Sequence, residues 1–233
     1  MAHTRTASKP HGDRFAGEFG SEAVQDYLKA IYALESARER VTTSALARRM
    51  HVSAPSATAM TKRLDELGLV ERLPYRGVAL TDAGRTNALE VLRHHRLLER
   101  YLVDRLGLSL DEVHAEAELL EHALSEELEA RIDEELGYPT HDPHGDPIPD
   151  SELRLTHAED RTLLELEPGA RVSIARVPDD DPALLRYLGT LGLVPGSRLE
   201  LVARAPFDGP VTVRTDRGEH AISRDLADRI AAA

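Results

Sequence analysis

The chain has 233 residues, of which 41% are apolar and 30% charged, and its formal net charge is −12. This length accommodates one large domain or two to three small ones, and the lack of cysteine excludes disulfides, iron–sulfur clusters, thiolate zinc sites and cysteine nucleophiles. No apolar run reaches the roughly 18 residues of a membrane helix or forms a secretory signal, so we expect a cytoplasmic protein without a membrane partner.

The charge is divided unevenly along the chain. Residues 1–85 carry a net charge of +3, whereas residues 86–233 carry −15. Lysine and arginine supply most of the non-specific affinity for phosphates. Any nucleic-acid binding is therefore expected in the first third of the chain.

The first third has the element order of a winged helix-turn-helix. Residues 1–20 are expected to form a flexible tail, and apolar residues then recur at helical spacing from Ser21. A short helix over 42–50, a second over 53–67 that ends at Gly68, and two strands around the turn at 74–77 follow. We predict a DNA-binding domain over residues 21–84, and a simple packed helix pair is the alternative.

The second of these helices presents small and hydroxylic side chains with basic residues behind them. Such a surface can enter a major groove, donate to phosphates and contact thymine methyl groups. The candidate DNA-binding residues are Ser53, Pro55, Ser56, Thr58, Thr61, Lys62 and Arg63 on the helix, and Arg76 on the wing.

The rest of the chain predicts a helical domain and a small β-barrel. Helices are expected from Thr81 to about Gly107, over 109–124 and over 125–136, and their apolar residues leave a face for self-association. A Pro/Gly/Asp loop at 142–149 ends this domain, which we place at 85–150. A linker at 151–162 and a barrel over 163–233 follow, with β runs at 170–175, 198–203, 211–215 and 220–222 and one helix near 181–191. The fold class is mainly α with small β parts (α+β).

The helical domain carries a pattern typical of a metal site. His95 and Glu99 are four residues apart, and the next helix has His114, Glu118, Glu121 and His122 within an arc of about 100°. The carboxylates of such a cluster repel one another unless a cation compensates their charge. A solvated Glu/His face is the alternative. His144, His157 and His220 are expected at the surface.

An enzyme is the alternative to a binding protein. Di-metal helical enzymes use Glu-x-x-His pairs, and neither Glu118 nor Glu121 stands at that spacing from His122. The sequence also lacks a His-Glu-x-x-His zinc signature and a phosphate-binding glycine loop. We therefore expect no enzymatic activity, and a di-metal enzyme is the less favoured alternative.

Several stretches resemble the diphtheria toxin repressor family, which includes the manganese transport regulators. They are AVQDYLKAIYALE at 23–35, VSAPSATAMTKRLDELGLVE at 52–71, RGVALTDAGR at 76–85, RHHRLLERYL at 93–102, DEVHAEAELLEHALSEELEARID at 111–133 and DPHGDPIP at 142–149. The segment LLRYLGTLGLVPGSRLEL at 184–201 is similar, more loosely, to the family's C-terminal SH3-like (FeoA-like) domain.

The resemblance implies a winged-helix repressor with a helical dimerisation domain and metal sites that join the two. It implies a primary site of Asp26, Glu118, Glu121 and His122, and a second site of His95, Glu99 and His114, with Asp179 near the barrel's ligand position. The chain departs from the family at two positions. Lys29 stands where manganese-type members often have an acidic residue, and Arg176 where three-domain members place a carboxylate.

The resemblance also bears on the choice of metal. Iron-sensing members present methionine and cysteine at the positions of Asp26 and Glu118, whereas this chain presents hard oxygen ligands at both. Carboxylates favour Mn²⁺ over softer competitors, so we expect Mn(2+), with Fe(2+) as the alternative. The implied function is repression of metal-uptake genes by a homodimer on double-stranded operator DNA, with one or two dimers per operator.

Overall fold

A computed structural model describes residues 21–73, 77–156 and 161–233. The described chain divides into two compact units. The first holds the residues up to Leu92 together with His122–Glu129, and the second holds Arg93–Glu121 and Ala130–Ala233. Within these residues, no helix combines the length and the apolar character that crossing a bilayer demands.

The first unit contains the predicted winged helix-turn-helix. Its helices are α1 (Glu22–Ser36), α2 (Thr43–Arg49) and α3 (Ala54–Glu66), and the wing is an antiparallel pair of strands, β1 (Val70–Leu73) and β2 (Gly77–Leu80). The wing tip at 74–76, which includes the predicted contact Arg76, and the predicted tail at 1–20 lie outside the described residues.

The core of this unit explains its element order. Leu28 and Ile31 of α1, Leu46 of α2 and Leu64 of α3 are fully buried in one apolar cluster, so each helix contributes its apolar stripe. The wing is fixed to the segment before α2, because the Val78 amide donates to the Val41 carbonyl at 3.1 Å. A Cβ at Gly77 would lie 2.0 Å from that oxygen, so only glycine fits there.

The middle of the chain is helical, as predicted, but one helix differs from the prediction. Helix α4 (Asp82–Leu106) and α6 (Glu126–Glu135) have the expected extents, whereas α5 covers only Val113–Leu120. The Glu112 carboxylate accepts from the Ser109 hydroxyl at 2.6 Å and holds residues 109–112 in a turn. The chain then tightens into a 3₁₀ turn at Glu121–Ala123.

Residues 161–233, which we call the C-terminal sheet domain, form a six-stranded antiparallel sheet in the order β3-β8-β4-β5-β6-β7. The strands are β3 (Arg161–Thr162), β4 (Arg171–Arg176), β5 (Arg198–Arg204), β6 (Val211–Thr215), β7 (Gly218–Ile222) and β8 (Ala231–Ala232). Two helices, α7 (Pro182–Leu191) and α8 (Arg224–Arg229), accompany the sheet. The sequence predicted four of these strands and α7. It missed α8 and the two-residue strands, which are too short to show alternation.

Candidate nucleic-acid interface and metal centre

Helix α3 presents the surface that the sequence predicts. Ser53 is its N-cap and accepts from the Ser56 amide at 3.2 Å, and the two hydroxyls are 2.8 Å apart. Pro55 fits the first turn, where a missing amide proton costs nothing. The exposed members of the predicted set are Ser53, Pro55, Ser56, Thr58, Lys62 and Arg63.

Thr61 does not belong to this surface, and its prediction as a DNA contact is wrong. Its side chain is buried, and its hydroxyl donates to the Ala57 carbonyl at 2.7 Å. Ala57, Thr61 and Leu64 share the inward stripe of α3, so the methyl group of Thr61 packs into the core.

Three predicted metal ligands in the second unit form a compact triangle. The His95 Nε2 atom lies 3.0 Å from Glu99 Oε1 and 3.1 Å from His114 Nδ1, and the third edge, from His114 Nδ1 to Glu99 Oε1, is 3.2 Å. An octahedral ion at about 2.2 Å from each ligand would separate neighbouring ligands by about 3.1 Å. This triad therefore has the spacing of three adjacent ligands of one ion.

Glu121 and Glu118 lie beside this triad. The His95 Nδ1–H group donates to Glu121 Oε2 at 2.5 Å, which leaves Nε2 unprotonated toward the other two ligands. The Glu118 carboxylate lies 3.8 Å from His114 Nε2 and 4.0 Å from His95 Nδ1. The structure thus brings both carboxylates, which the resemblance assigns to the primary site, to the histidines of the second site.

The other two predicted primary ligands meet in the first unit. His122 Nε2 lies 2.9 Å from Asp26 Oδ1, and His122 Nδ1–H donates to Gln25 Oε1 at 2.6 Å. Gln25 was not predicted, although it precedes Asp26 in the chain. The hydrogen bond to Gln25 keeps the proton of the His122 ring on Nδ1, so the unprotonated Nε2 faces the Asp26 carboxylate. That one ion is shared by Asp26, Glu118, Glu121 and His122 stays a prediction.

A further cluster in the second unit was missed by the sequence. His144, expected at the surface, is instead completely buried, as is Glu99, and Asp142 beside them is 3% exposed. His144 Nε2–H donates to the Leu110 carbonyl at 3.0 Å, so Nδ1 faces Glu99 Oε2 at 3.6 Å. Neither of these facing atoms has a hydrogen-bond partner. Two buried acceptors held face to face need a shared cation, either a proton or a metal ion.

The charges of the cluster agree with this requirement. Burial alone would raise the pKa of Glu99, but the neighbouring imidazoles of His114, His144 and His95 lower it well below its usual range. Burial alone would lower the pKa of His144, but Glu99 raises it to about 9. Burial, aided by the charges of Glu99 and Asp146, raises the pKa of Asp142 to about 8. Without metal, protons therefore occupy His144 and Asp142 at neutral pH.

Metal binding to this cluster is expected to release protons. The two raised pKa values mean that His144 and Asp142 must lose protons to become ligands at pH 7, so affinity is highest above about pH 9 and falls as the pH is lowered. Each displaced proton changes the affinity about tenfold per pH unit. Calorimetry with Mn²⁺ in buffers of different ionisation enthalpy measures the number released. The exposed His141 provides a control, since the H141A variant should release as many protons as the wild type on binding Mn²⁺. If the wild type releases no protons at pH 7, the assignment is contradicted.

The charge of the predicted ligand Asp179 acts on Asp146 of the same loop. Burial raises the pKa of Asp146, and the negative charge of Asp179 raises it further. The positive charges of Arg96 and Arg176 act in the opposite direction and lower it. Arg176, the departure from the family pattern, lies 3.5 Å from Asp146 Oδ1.

Three known families match consecutive parts of the chain. Residues 21–78 match "Iron dependent repressor, N-terminal DNA binding domain", and residues 81–150 match "Iron dependent repressor, metal binding and dimerisation domain". Residues 161–232 match the FeoA domain.

Individual relatives and solved structures agree with these matches. The chain is 34% identical to the iron-dependent repressor IdeR of Mycobacterium leprae in an alignment of 190 positions, which covers 76% of this chain and 83% of the relative. It also resembles a solved "Manganese-dependent transcriptional repressor complex with manganese", with 43% identity, a TM-score of 0.82 and coverage of 90% of this chain and 98% of that one. The manganese regulator SloR gives 33% identity, a TM-score of 0.75 and coverage of 90% and 97%.

These relatives are transcriptional regulators and not enzymes, in agreement with the prediction made from the sequence. The winged helix, the His/Glu cluster on α4 and α5 and the C-terminal sheet domain stand in the order of the three matched families. The chain belongs to the diphtheria toxin repressor family of metal-dependent transcriptional repressors.

Proposed function

We propose that this chain is a Mn²⁺-responsive repressor that binds operator DNA as a homodimer and controls metal-uptake genes. The observation that carries the proposal is the triad of His95, Glu99 and His114, whose edges of 3.0, 3.1 and 3.2 Å suit an octahedral ion. Octahedral nitrogen and oxygen coordination is typical of Mn²⁺, and the chain has no thiolate that would favour softer ions.

The residues around the triad would hold and tune the ion. His95, Glu99 and His114 would bind it directly, and Glu121 would keep His95 in the ligating tautomer. Glu99 presents its second oxygen to His144, so Asp142 and His144 would hold a further ion at the other side of the same carboxylate. The bound metal supplies positive charge, which offsets the repulsion among these carboxylates and reduces the negative charge that opposes DNA binding.

A second pair, Asp26 and His122, would couple metal to the DNA-binding unit. Both residues lie in the unit that carries α3, and the hydrogen bond from His122 to Gln25 orients the imidazole toward Asp26. An ion held there would fasten residues 122–129 to α1. Such an ion raises the population of one arrangement of this unit and thereby its affinity for DNA.

The domain borders and the assembly on DNA follow the same proposal. We assign residues 21–84 to DNA binding, 85–150 to dimerisation and metal binding, 151–162 to a linker and 163–233 to the C-terminal domain. Two dimers on one operator would extend the contact over two faces of the duplex. Sedimentation of the metal-loaded protein on operator DNA distinguishes one dimer from two.

Iron is the second candidate, because an octahedral nitrogen and oxygen site also accepts Fe²⁺ and its intrinsic affinity is higher. The similarity to the iron-dependent repressor of Mycobacterium leprae favours it, whereas the similarity to manganese-dependent repressors favours manganese. The oxygen ligands Asp26 and Glu118 decide for manganese in our proposal.

Fluorescence anisotropy on labelled promoter fragments of metal-transport genes tests the function and ranks the ions. Binding should tighten at least about tenfold when EDTA is replaced by Mn²⁺, with anaerobic Fe²⁺ and Zn²⁺ as comparisons. The same protein with an unrelated fragment gives the non-specific baseline. Equal operator affinity in EDTA and in every metal would overturn the proposal, and a response to Fe²⁺ alone would replace manganese by iron.

A further inference from the structure

Loop 142–149, which carries Asp142 and His144, is held from one side by an arginine of α4. The Arg96 guanidinium donates to the Pro147 carbonyl at 2.5 Å, and it lies 3.4 Å from Asp146 Oδ1 and 3.7 Å from Asp142 Oδ2. Its side chain is only 16% exposed. A charged group so largely buried requires partners, and the loop supplies all three.

The other side of the loop lies against strand β4 of the C-terminal sheet domain. The Val177 amide donates to the His144 carbonyl at 3.0 Å. A Cβ at Gly145 would lie 1.9 Å from the Ala175 carbonyl oxygen and 2.8 Å from the Arg176 Cα, so the two backbones are in direct contact. Both belong to the same compact unit. We call this contact the loop seam.

A second arginine closes the loop seam. The Arg176 guanidinium, at the end of β4, lies 3.5 Å from the same Asp146 oxygen that Arg96 approaches. One carboxylate therefore joins two guanidinium groups, one from α4 and one from the C-terminal sheet domain. Arg186 of α7 adds an ion pair with Asp111 at 3.0 Å at the border of the same domain.

The charges around the loop indicate what these arginines do. Three acidic side chains, those of Glu99, Asp142 and Asp146, lie at the loop, and the negative charge of Asp179 repels that of Asp146. A carboxylate at position 176 would add to this repulsion and would need a metal ion to keep the domain in contact. A guanidinium at that position supplies a permanent positive charge instead.

We propose that Arg96 and Arg176 are positioning residues that keep loop 142–149 and the C-terminal sheet domain together without metal. The domain then remains docked on the loop when the ion leaves, and Asp142 and His144 stay arranged for the next ion. This inference concerns the metal-free protein, so it does not depend on which ion the repressor senses.

Hydrogen exchange of the full-length protein in EDTA tests this proposal, because the Val177 amide reports the loop seam directly. In the wild type this amide should be protected in EDTA about as well as in Mn²⁺. R176A should speed its exchange in EDTA about two- to fivefold, as expected for a half-exposed ion pair, and R176K should restore most of the protection. The control is R171A, which removes an arginine that is 81% exposed and pairs with Glu200 on the same sheet.

The Leu201 amide, which donates to the Ala170 carbonyl, shows within the same sample whether the sheet is intact. G145A should also expose the Val177 amide, since its methyl group would overlap the Ala175 carbonyl while Arg176 remains. Rapid exchange of Val177 in wild-type EDTA samples, with protection only in Mn²⁺, would overturn the proposal. So would unchanged exchange in R176A. Loss of Mn²⁺-dependent operator binding would leave this test unaffected, so the two proposals fail separately.

Discussion

Replacing Glu99 with glutamine is expected to weaken metal binding in the second unit at least about 100-fold. One Glu99 oxygen lies in the triad with His95 and His114, and the other faces His144, so a single neutral amide removes a charged ligand from both clusters. Glutamine has nearly the same shape, so the packing around it should persist. Calorimetry or Mn²⁺ paramagnetic resonance gives the number of ions bound and their dissociation constants.

A matched control exists on the neighbouring helix. Glu116 of α5 is exposed, so E116Q changes the same charge at a site without buried imidazoles. It should bind metal like the wild type. Circular dichroism establishes that E99Q is folded before the titrations are compared. If E99Q takes up as many ions as the wild type with equal affinity, the metal centre is not where we place it.

Removing Asp26 or His122 is expected to abolish the increase in operator affinity that metal produces. D26A and H122A should each reduce an increase of at least about tenfold to less than about twofold, while binding in EDTA stays near the wild-type value. The reason is local, since the two side chains are 2.9 Å apart and lie in the unit that carries the recognition helix α3. Anisotropy titrations with and without Mn²⁺ measure the increase.

E22A is the control for this pair of variants. Glu22 is exposed and lies in the first turn of α1, the helix that also carries Asp26. Its removal should leave the metal-dependent increase in operator affinity intact. A full metal response in both D26A and H122A would show that the first unit senses no ion through these residues.

The sequence predicted the parts of the site that lie on regular helices. His95 and Glu99 on α4, and His114 and Glu118 on α5, are one helical turn apart, and helical geometry alone places each pair on one face. Ser53 was predicted as the α3 cap for a similarly local reason, because its hydroxyl satisfies an amide that the helix leaves unpaired.

The positions of side chains could not be predicted from the sequence where the backbone departs from the α-helix. Glu121 and His122 lie on a 3₁₀ turn, so the angles calculated for a continuous helix do not apply to them. His144 lies in a loop without periodicity. Its burial follows from the Asp142 side chain, which accepts from the amides of His144 and Asp146 at 2.8 and 2.9 Å and folds the loop inward.

Thr61 was misplaced for a different reason. Its hydroxyl favoured an exposed position, but Ala57 and Leu64 already marked its side of α3 as the buried side. The spacing of apolar neighbours therefore outweighed the polarity of one small side chain. A hydroxyl that can donate to the preceding turn loses little by burial, which is why threonine fits there.

The position of Glu99 between two sets of ligands affects how the metal occupancy of this repressor would depend on the metal concentration in the cell. Two ions bound at once would share the single negative charge of the Glu99 carboxylate, so the second ion would bind with lower affinity than the first. Occupancy would then rise gradually with supply. Gene expression would follow the available metal over a broad concentration range instead of changing abruptly at a single threshold.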